Sequence, residues 1–214
     1  MRIEILGNSF LLLHQKAIYW ENEKILLIAD LHLGKITHFR KEGIAVPTNA
    51  VTNNFERLTG MLGTHDVKQI IFLGDLFHNR YNDEWKLFAD WRMRCDAVEM
   101  AIVLGNHDIL PLSLFETCDI TVFHGSFRIG NFLFTHHPQE KIEEGVFVFC
   151  GHIHPVFLLQ AKGRQQLRLP CFVQDKQQMI LPGFGVFTGG FEMKVIVERK
   201  IYLIAEKKIL CVSE

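Results

Sequence analysis

The stretch Ile25-Leu26-Leu27-Ile28-Ala29-Asp30-Leu31-His32 decides the reading of this chain: an apolar run ending in two residues that can bind a metal ion. Four further runs end in the same manner. Ile70-Ile71-Phe72-Leu73 leads into Gly74-Asp75, and Ala101-Ile102-Val103-Leu104 into Gly105-Asn106-His107-Asp108. Phe132-Leu133-Phe134-Thr135 leads into His136, and Val146-Phe147-Val148-Phe149-Cys150 into Gly151-His152-Ile153-His154. Short β-branched and aromatic runs bounded by glycine and polar residues predict buried strands. In layered α/β folds a site lies just beyond the strand ends, where loops converge. One such ending is chance; five built from Asp, Asn and His predict a metal centre.

The spacing within each block bears on its chemistry. Asp30 and His32 lie two apart, so an extended strand end would point both side chains the same way. Asp75 follows a glycine, which frees the turn and admits a close metal approach. The donors mix nitrogen and oxygen without thiolate, which suits Mn²⁺, Fe or Zn²⁺ better than Ca²⁺ or Mg²⁺. Seven candidates (Asp30, His32, Asp75, Asn106, His136, His152 and His154) exceed the demand of one ion. They suit two divalent ions about 3.5–4 Å apart, the arrangement that hydrolyses phosphate esters through a hydroxide formed between the ions. Two such ions against Asp30 and Asp75 leave roughly two positive charges, attractive to a phosphate and not to an amide. His107, not needed as a ligand, is placed to protonate the leaving group.

Composition bounds the rest. The chain has 214 residues, 48% hydrophobic and 22% charged, enough for one domain with a real core. A formal net charge of −1 excludes a generally basic nucleic-acid coat but not a local patch. The five cysteines are odd in number and scattered, which predicts reduced thiols packed as small hydrophobes in a cytoplasm. Cys150 abuts Gly151-His152 and is assigned to the core all the same. No run approaches the roughly 18 apolar residues of a membrane span, and Glu4 and Asn8 interrupt any signal-type segment. The expected setting is cytoplasmic, without membrane contact.

Along the chain, residues 1–29 are predicted to form three short strands and 34–47 a loop carrying Lys35, His38, Arg40 and Lys41. Thr48 is a candidate N-cap for a helix over 48–62 that buries Val51, Phe55, Leu58 and Leu62. A second helix over 83–94 would bury Trp85, Phe88, Ala89 and Met93; Trp91 shares its spacing, and core packing is preferred to base stacking. Residues 123–134 read as a hairpin around Gly130-Asn131, and 155–214 as four or five strands with turns near Gly163, Asp175 and Gly189-Gly190. The outline is two sheets face to face with helices outside, one domain over 1–214.

The blocks Asp30-x-His32, Gly74-Asp75, Gly105-Asn106-His107-Asp108, His136 and Gly151-His152-x-His154 resemble, in order and type, the signature of the calcineurin-like metallophosphoesterases. The resemblance implies a four-layer α/β/β/α sandwich. It implies that Asp30, His32, Asp75 and His154 hold one metal, and Asp75, Asn106, His136 and His152 the second, with Asp75 bridging. It implies two divalent ions, Mn²⁺ first, with Fe or Zn²⁺ as alternatives. His107 would contact the phosphate and assist the leaving group. His78, in Gly74-Asp75-Leu76-Phe77-His78, joins it as a catalytic candidate where phosphatases carry an acid. His137 stands beside His136 where many relatives have glycine, so either could bind metal.

The neighbourhood Asp30-Leu31-His32-Leu33-Gly34-Lys35, with Phe39-Arg40, Gly43-Ile44 and Val46-Pro47, is similar to a bacterial group of ligase-associated DNA-damage-response endonucleases. Leu181-Pro182-Gly183-Phe184-Gly185 and Thr188-Gly189-Gly190 fit the same group. This implies a phosphodiester substrate, DNA, and DNA-repair partners such as a ligase or helicase, with no capping domain. Lys35 and Arg40 are candidates for phosphate contact. Lys162, Arg164 and Arg168 lie in an acid-free segment over 155–174, either a solvated hairpin face or a phosphate-tracking strip. Two other readings stand beside this one: a phosphatase or phosphodiesterase for a nucleotide or other small molecule, and a non-catalytic scaffold. The scaffold predicts missing ligands, and all seven are present.

Overall fold

Burial on both faces explains why the apolar runs became strands. In the computed structural model, which describes residues 1–36, 39, 42–43, 50–78, 83–160, 166–186 and 188–213, seven strands form the first sheet. They are β1 (Arg2–Ile5), β2 (Asn8–Leu13), β3 (Ala17–Trp20), β4 (Ile25–Ile28), β5 (Gln69–Phe72), β6 (Glu99–Val103) and β7 (Ile120–Phe123), neighbours in that order. β1 to β4 pair antiparallel through tight turns, and β4 to β7 run parallel. Leu26, Ile28, Ile70 and Phe72 face one core, while Ile25, Leu27 and Ile71 face another. A strand buried on both faces needs an unbroken apolar run, which is what the sequence carries.

The second sheet contains β8 (Ser126–Ile129), β9 (Phe132–Thr135), β10 (Phe147–Cys150), β11 (Pro155–Gln160), β12 (Gln166–Asp175), β13 (Gln178–Ile180), β14 (Phe191–Glu192), β15 (Arg199–Ala205) and β16 (Lys208–Val212). Its order is β14-β11-β12-β13-β10-β9-β8, with β15 against β12 and β16 outside β15. β9, β10 and β13 run parallel. Phe147 and Phe149 fill the core between the sheets beside Phe10, Trp20 and Phe132; Val148 and Cys150 face the outer core. Each such side chain contributes about 1.5–3 kcal/mol on burial, so the inter-sheet core is a main source of stability.

Three helices are described: α1 (Ala50–Thr64), α2 (Asp83–Met93) and α3 (Leu112–Thr117). All cover the outer face of the first sheet, through Leu58 and Met61 of α1, Trp85, Phe88 and Trp91 of α2, and Phe115 of α3. Ile142, Met193 and Val195 cover the outer face of the second sheet, where no helix is described. The architecture is an α/β sandwich: two sheets face to face, with the described helices on the outer face of the first.

Several details differ from expectation. Residues 1–29 hold four strands, because Lys16 (φ 69°) and Lys24 (φ 60°) occupy left-handed turns that lysine does not advertise. The described residues of 155–213 hold six, including the two-residue β14. Met93 is 68% exposed, since α2 ends there and turns it from the core. Val51's side chain, Thr48 and the Gly163 turn lie outside the described residues. The core assignment of the tryptophans holds. The five cysteines are free; burial pushes the Cys171 thiol up to about 12 and Cys150 higher, so Cys150 packs as an apolar group. No helix among the described residues is long and apolar enough to cross a membrane.

Candidate metal centre

Both sheets deliver their parallel strands to one place, where the loops are laced together by backbone bonds. The Asp30 amide donates to the Gly74 carbonyl at 3.2 Å and the His32 amide to the Asp75 carbonyl at 2.9 Å. The Gly151 amide reaches the His136 carbonyl at 3.0 Å, and the His152 amide reaches Asp30 Oδ2 at 3.0 Å. The loops can approach this closely because glycine stands at the contacts. A Cβ on Gly74 would sit 2.6 Å from His136 Cγ, and one on Gly151 would sit 2.7 Å from Asp30 Oδ2.

The extended strand end expected for Asp30 and His32 is not what forms. β4 stops at Ile28, and both residues are left-handed, with φ of 54° and 50°. Asp75 (50°), His152 (68°) and His154 (49°) share that conformation. For residues with a Cβ this costs of order 1–3 kcal/mol each and persists where surroundings over-determine it. Here the lacing bonds do so, and they turn the side chains toward a common point.

At that point Asp30, His32 and His154 bring their ligand atoms together, as do Asp30, Asp75 and His136. Asp75 stands between the two halves: Oδ2 lies 3.7 Å from His32 Nε2, and Oδ1 lies 3.6 Å from His136 Nε2. His154 Nε2 is 3.1 Å from Asp30 Oδ1. The imidazole tautomers follow from the outer partners. His136 Nδ1 is 2.9 Å from the Leu73 carbonyl and His154 Nδ1 is 2.6 Å from the Thr188 carbonyl. A carbonyl only accepts, so each Nδ1 carries a proton; this leaves His136 Nε2 with a lone pair facing inward, whereas His154 Nε2 donates to Asp30 Oδ1 when that ring is protonated. His32 Nε2 and His154 Nε2 lie 3.4 Å apart, an approach of nitrogen donors that a cation between them would reconcile. The donor set and its buried carboxylates therefore fit divalent metal ions.

The charge states of the histidines differ. Burial holds His32 far below the usual imidazole range, assisted by His154 and Lys35. Burial also lowers His152, with His137 and His136 adding to it. Burial opposes protonation of His154 too, but the hydrogen bond and charge of Asp30 outweigh it and raise its pKa. A metal binds the neutral imidazole, so the lowered His32 and His152 are ready for one and His154 must release a proton to bind it.

The remaining candidates take different places. Asn106 is exposed in the turn between Gly105, which packs on Asp75, and His107. The His107 amide donates to Asp75 Oδ1 at 2.9 Å, and its ring stacks on His78 at 4.9 Å and lies 5.3 Å from His32. Lys35 is half-buried; burial lowers its pKa against the pull of the Asp75 and Asp30 charges. Arg168 is exposed and donates to the Gly190 carbonyl. His38, Arg40, Lys41, Lys162 and Arg164 lie outside the described residues.

Sequence reasoning missed three supports. The buried Asp108 carboxylate accepts from the Phe77 amide at 3.1 Å and the Gly105 amide at 2.9 Å, tying two site loops; burial raises its pKa to about 6. Its signal was its place in the Gly105-Asn106-His107-Asp108 block. Lys16 Nζ donates to the Gly183 carbonyl at 3.1 Å, and Arg57 Nη2 to the Phe184 carbonyl at 2.6 Å with the guanidinium over that ring. The clamped loop in turn donates from the Phe184 amide to the Ala29 carbonyl and from the Gly185 amide to the Asp30 carbonyl. Neither cation carries a local signal, since their partners lie far along the chain. Arg57→Met should keep the packing and lose the charged hydrogen bond, lowering stability by roughly 1.5–3 kcal/mol. Denaturant unfolding of chelator-treated protein checks this, and an unshifted midpoint contradicts it.

A family model described as calcineurin-like phosphoesterase matches residues 23–178. The crystal structure of a nuclease MPE from Pseudomonas putida is 35% identical and superposes with a TM-score of 0.82, covering 98% of this chain and 99% of that one. The E. coli phosphoesterase Yfce is 13% identical at a TM-score of 0.48, covering 88% of this chain and 98% of that one. No protein of curated function matches the chain. With the family match spanning most of the chain and the two-sheet site in place, this protein belongs to the calcineurin-like phosphoesterases, hydrolases of phosphoester bonds.

Proposed function

We propose that this chain is a two-metal phosphodiesterase that cleaves DNA. The observation that carries the two-ion reading is Asp75, whose two carboxylate oxygens face different imidazole groups. The nuclease reading is supported by the likeness to the Pseudomonas putida nuclease along nearly the full length of both chains. Asp30, His32, Asp75 and His154 hold one divalent ion, and Asp75, Asn106, His136 and His152 the other, with Mn²⁺ as the proposed metal. Bound there, the ions supply charge for the phosphoryl oxygens and a water of lowered pKa. His107, exposed and stacked on His78, holds the proton that the leaving oxygen takes up. His78 orients that ring. Lys35, beside both carboxylates, binds a substrate phosphate, and Arg168 tracks a neighbouring one. Single strands and ends are the proposed DNA substrates, and a ligase or helicase is the proposed partner in repair.

A panel of substrates tests this with manganese-loaded protein. It should hydrolyse bis-p-nitrophenyl phosphate faster than the monoester and cut single-stranded DNA. Lys35→Ala should flatten the dependence of log binding constant on log salt by about 0.7–1 unit, the loss of one phosphate contact. A preference for monoesters with no DNA binding at low salt would replace the nuclease with a small-molecule phosphatase.

A further inference from the structure

His137 is an exposed histidine immediately after the buried His136. Two consecutive residues of an extended strand point to opposite faces, so one of this pair should turn away. It does not, because β9 ends at Thr135 and the backbone leaves the strand there. Two bonds shape the departure: the Thr135 hydroxyl and the Gln139 side-chain amide donate to the His137 carbonyl at 2.8 and 2.9 Å. The Gly151 amide holds the His136 carbonyl from the other side. Both rings consequently face His152, with centroids at 4.9 Å from His136 and 4.2 Å from His137. The ligand nitrogens of His136, His137 and His152 come together as one group, and His152 Nδ1 is 3.1 Å from His136 Nε2.

We infer that His137 is a third imidazole donor to the second metal position. The inference rests on the two-ion reading above and changes its chemistry. With Asp75 shared by both, the first position has two imidazoles and the Asp30 carboxylate, whereas the second would have three imidazoles and the Asn106 oxygen. Nitrogen-rich sets favour Zn²⁺, Co²⁺ and Fe²⁺ over oxygen-seeking ions such as Mn²⁺ and Mg²⁺. The centre is therefore asymmetric, and its second position retains Co²⁺ or Zn²⁺ against Mn²⁺ better than its first.

Titration of chelator-stripped protein with Co²⁺ tests this directly, read by visible absorption and calorimetry and not by turnover. Wild type should bind two equivalents. His137→Ala should keep the first and bind the second at least about 10–100-fold more weakly, the range for losing even an outer partner of a metal. Its absorption bands for that equivalent should shift, and His137→Gln should behave in the same way. The exposed position predicts that unfolding of stripped protein stays unchanged in both variants, which separates ligand loss from misfolding. Two equivalents with wild-type affinity and unchanged bands in His137→Ala would overturn the inference and leave the two-ion reading intact. A wild-type protein that binds fewer than two ions would overturn both.

Discussion

Asp75→Asn should strip the protein of most of its metal, leaving less than one equivalent, and abolish nearly all phosphodiester hydrolysis. The reason is geometric. Asp75 Oδ2 faces His32 and Oδ1 faces His136, so one carboxylate serves both halves of the centre and offsets the repulsion between two cations. An asparagine has one oxygen and an amide nitrogen with no free lone pair, so either orientation abandons one half. Its lost charge also weakens the half that it keeps. The fall in turnover should be at least the roughly 10²–10³-fold that follows removal of one electrostatic stabiliser. The fold should survive, because the His32 amide bonds the Asp75 backbone carbonyl, which the substitution leaves in place. Elemental analysis alongside unfolding of the stripped proteins checks the result. Two full equivalents in an active Asp75→Asn protein would reject the bridging role.

The second large effect is expected at His107, with the opposite signature in metal content. The backbone of His107 is tethered to Asp75, but its ring is exposed and packs on His78. His107→Ala should keep both ions and lower turnover on DNA by about 10²–10⁴-fold, the usual effect of removing a general acid. The loss should shrink on bis-p-nitrophenyl phosphate, whose leaving group departs without help from a proton. That contrast between leaving groups distinguishes proton donation from holding the phosphate. Equal loss on both substrates would assign His107 to positioning.

Much of the fold was legible because burial imposes its own pattern. Ile25 to Ile28 had to be apolar throughout, since alternate residues face two different cores, and the same holds for Phe147 to Cys150. Glycine before Asp75 marked a close approach that a Cβ would block. What misled was local geometry. The sequence suggested an extended Asp30-Leu31-His32, whereas both polar residues are left-handed, held by amides and carbonyls of a loop more than 40 residues away.

By itself, then, the sequence determined which residues end the strands, the order in which they come and the nitrogen-and-oxygen character of the site, because periodicity and residue chemistry are local properties. Only the tertiary structure decided that Asp108 ties its two loops, that Lys16 and Arg57 clamp the loop beneath Asp30, and that His137 turns toward His152. Each of these depends on hydrogen bonds or ring contacts between segments brought together by folding, and no pattern of neighbours along the chain encodes a direction in space.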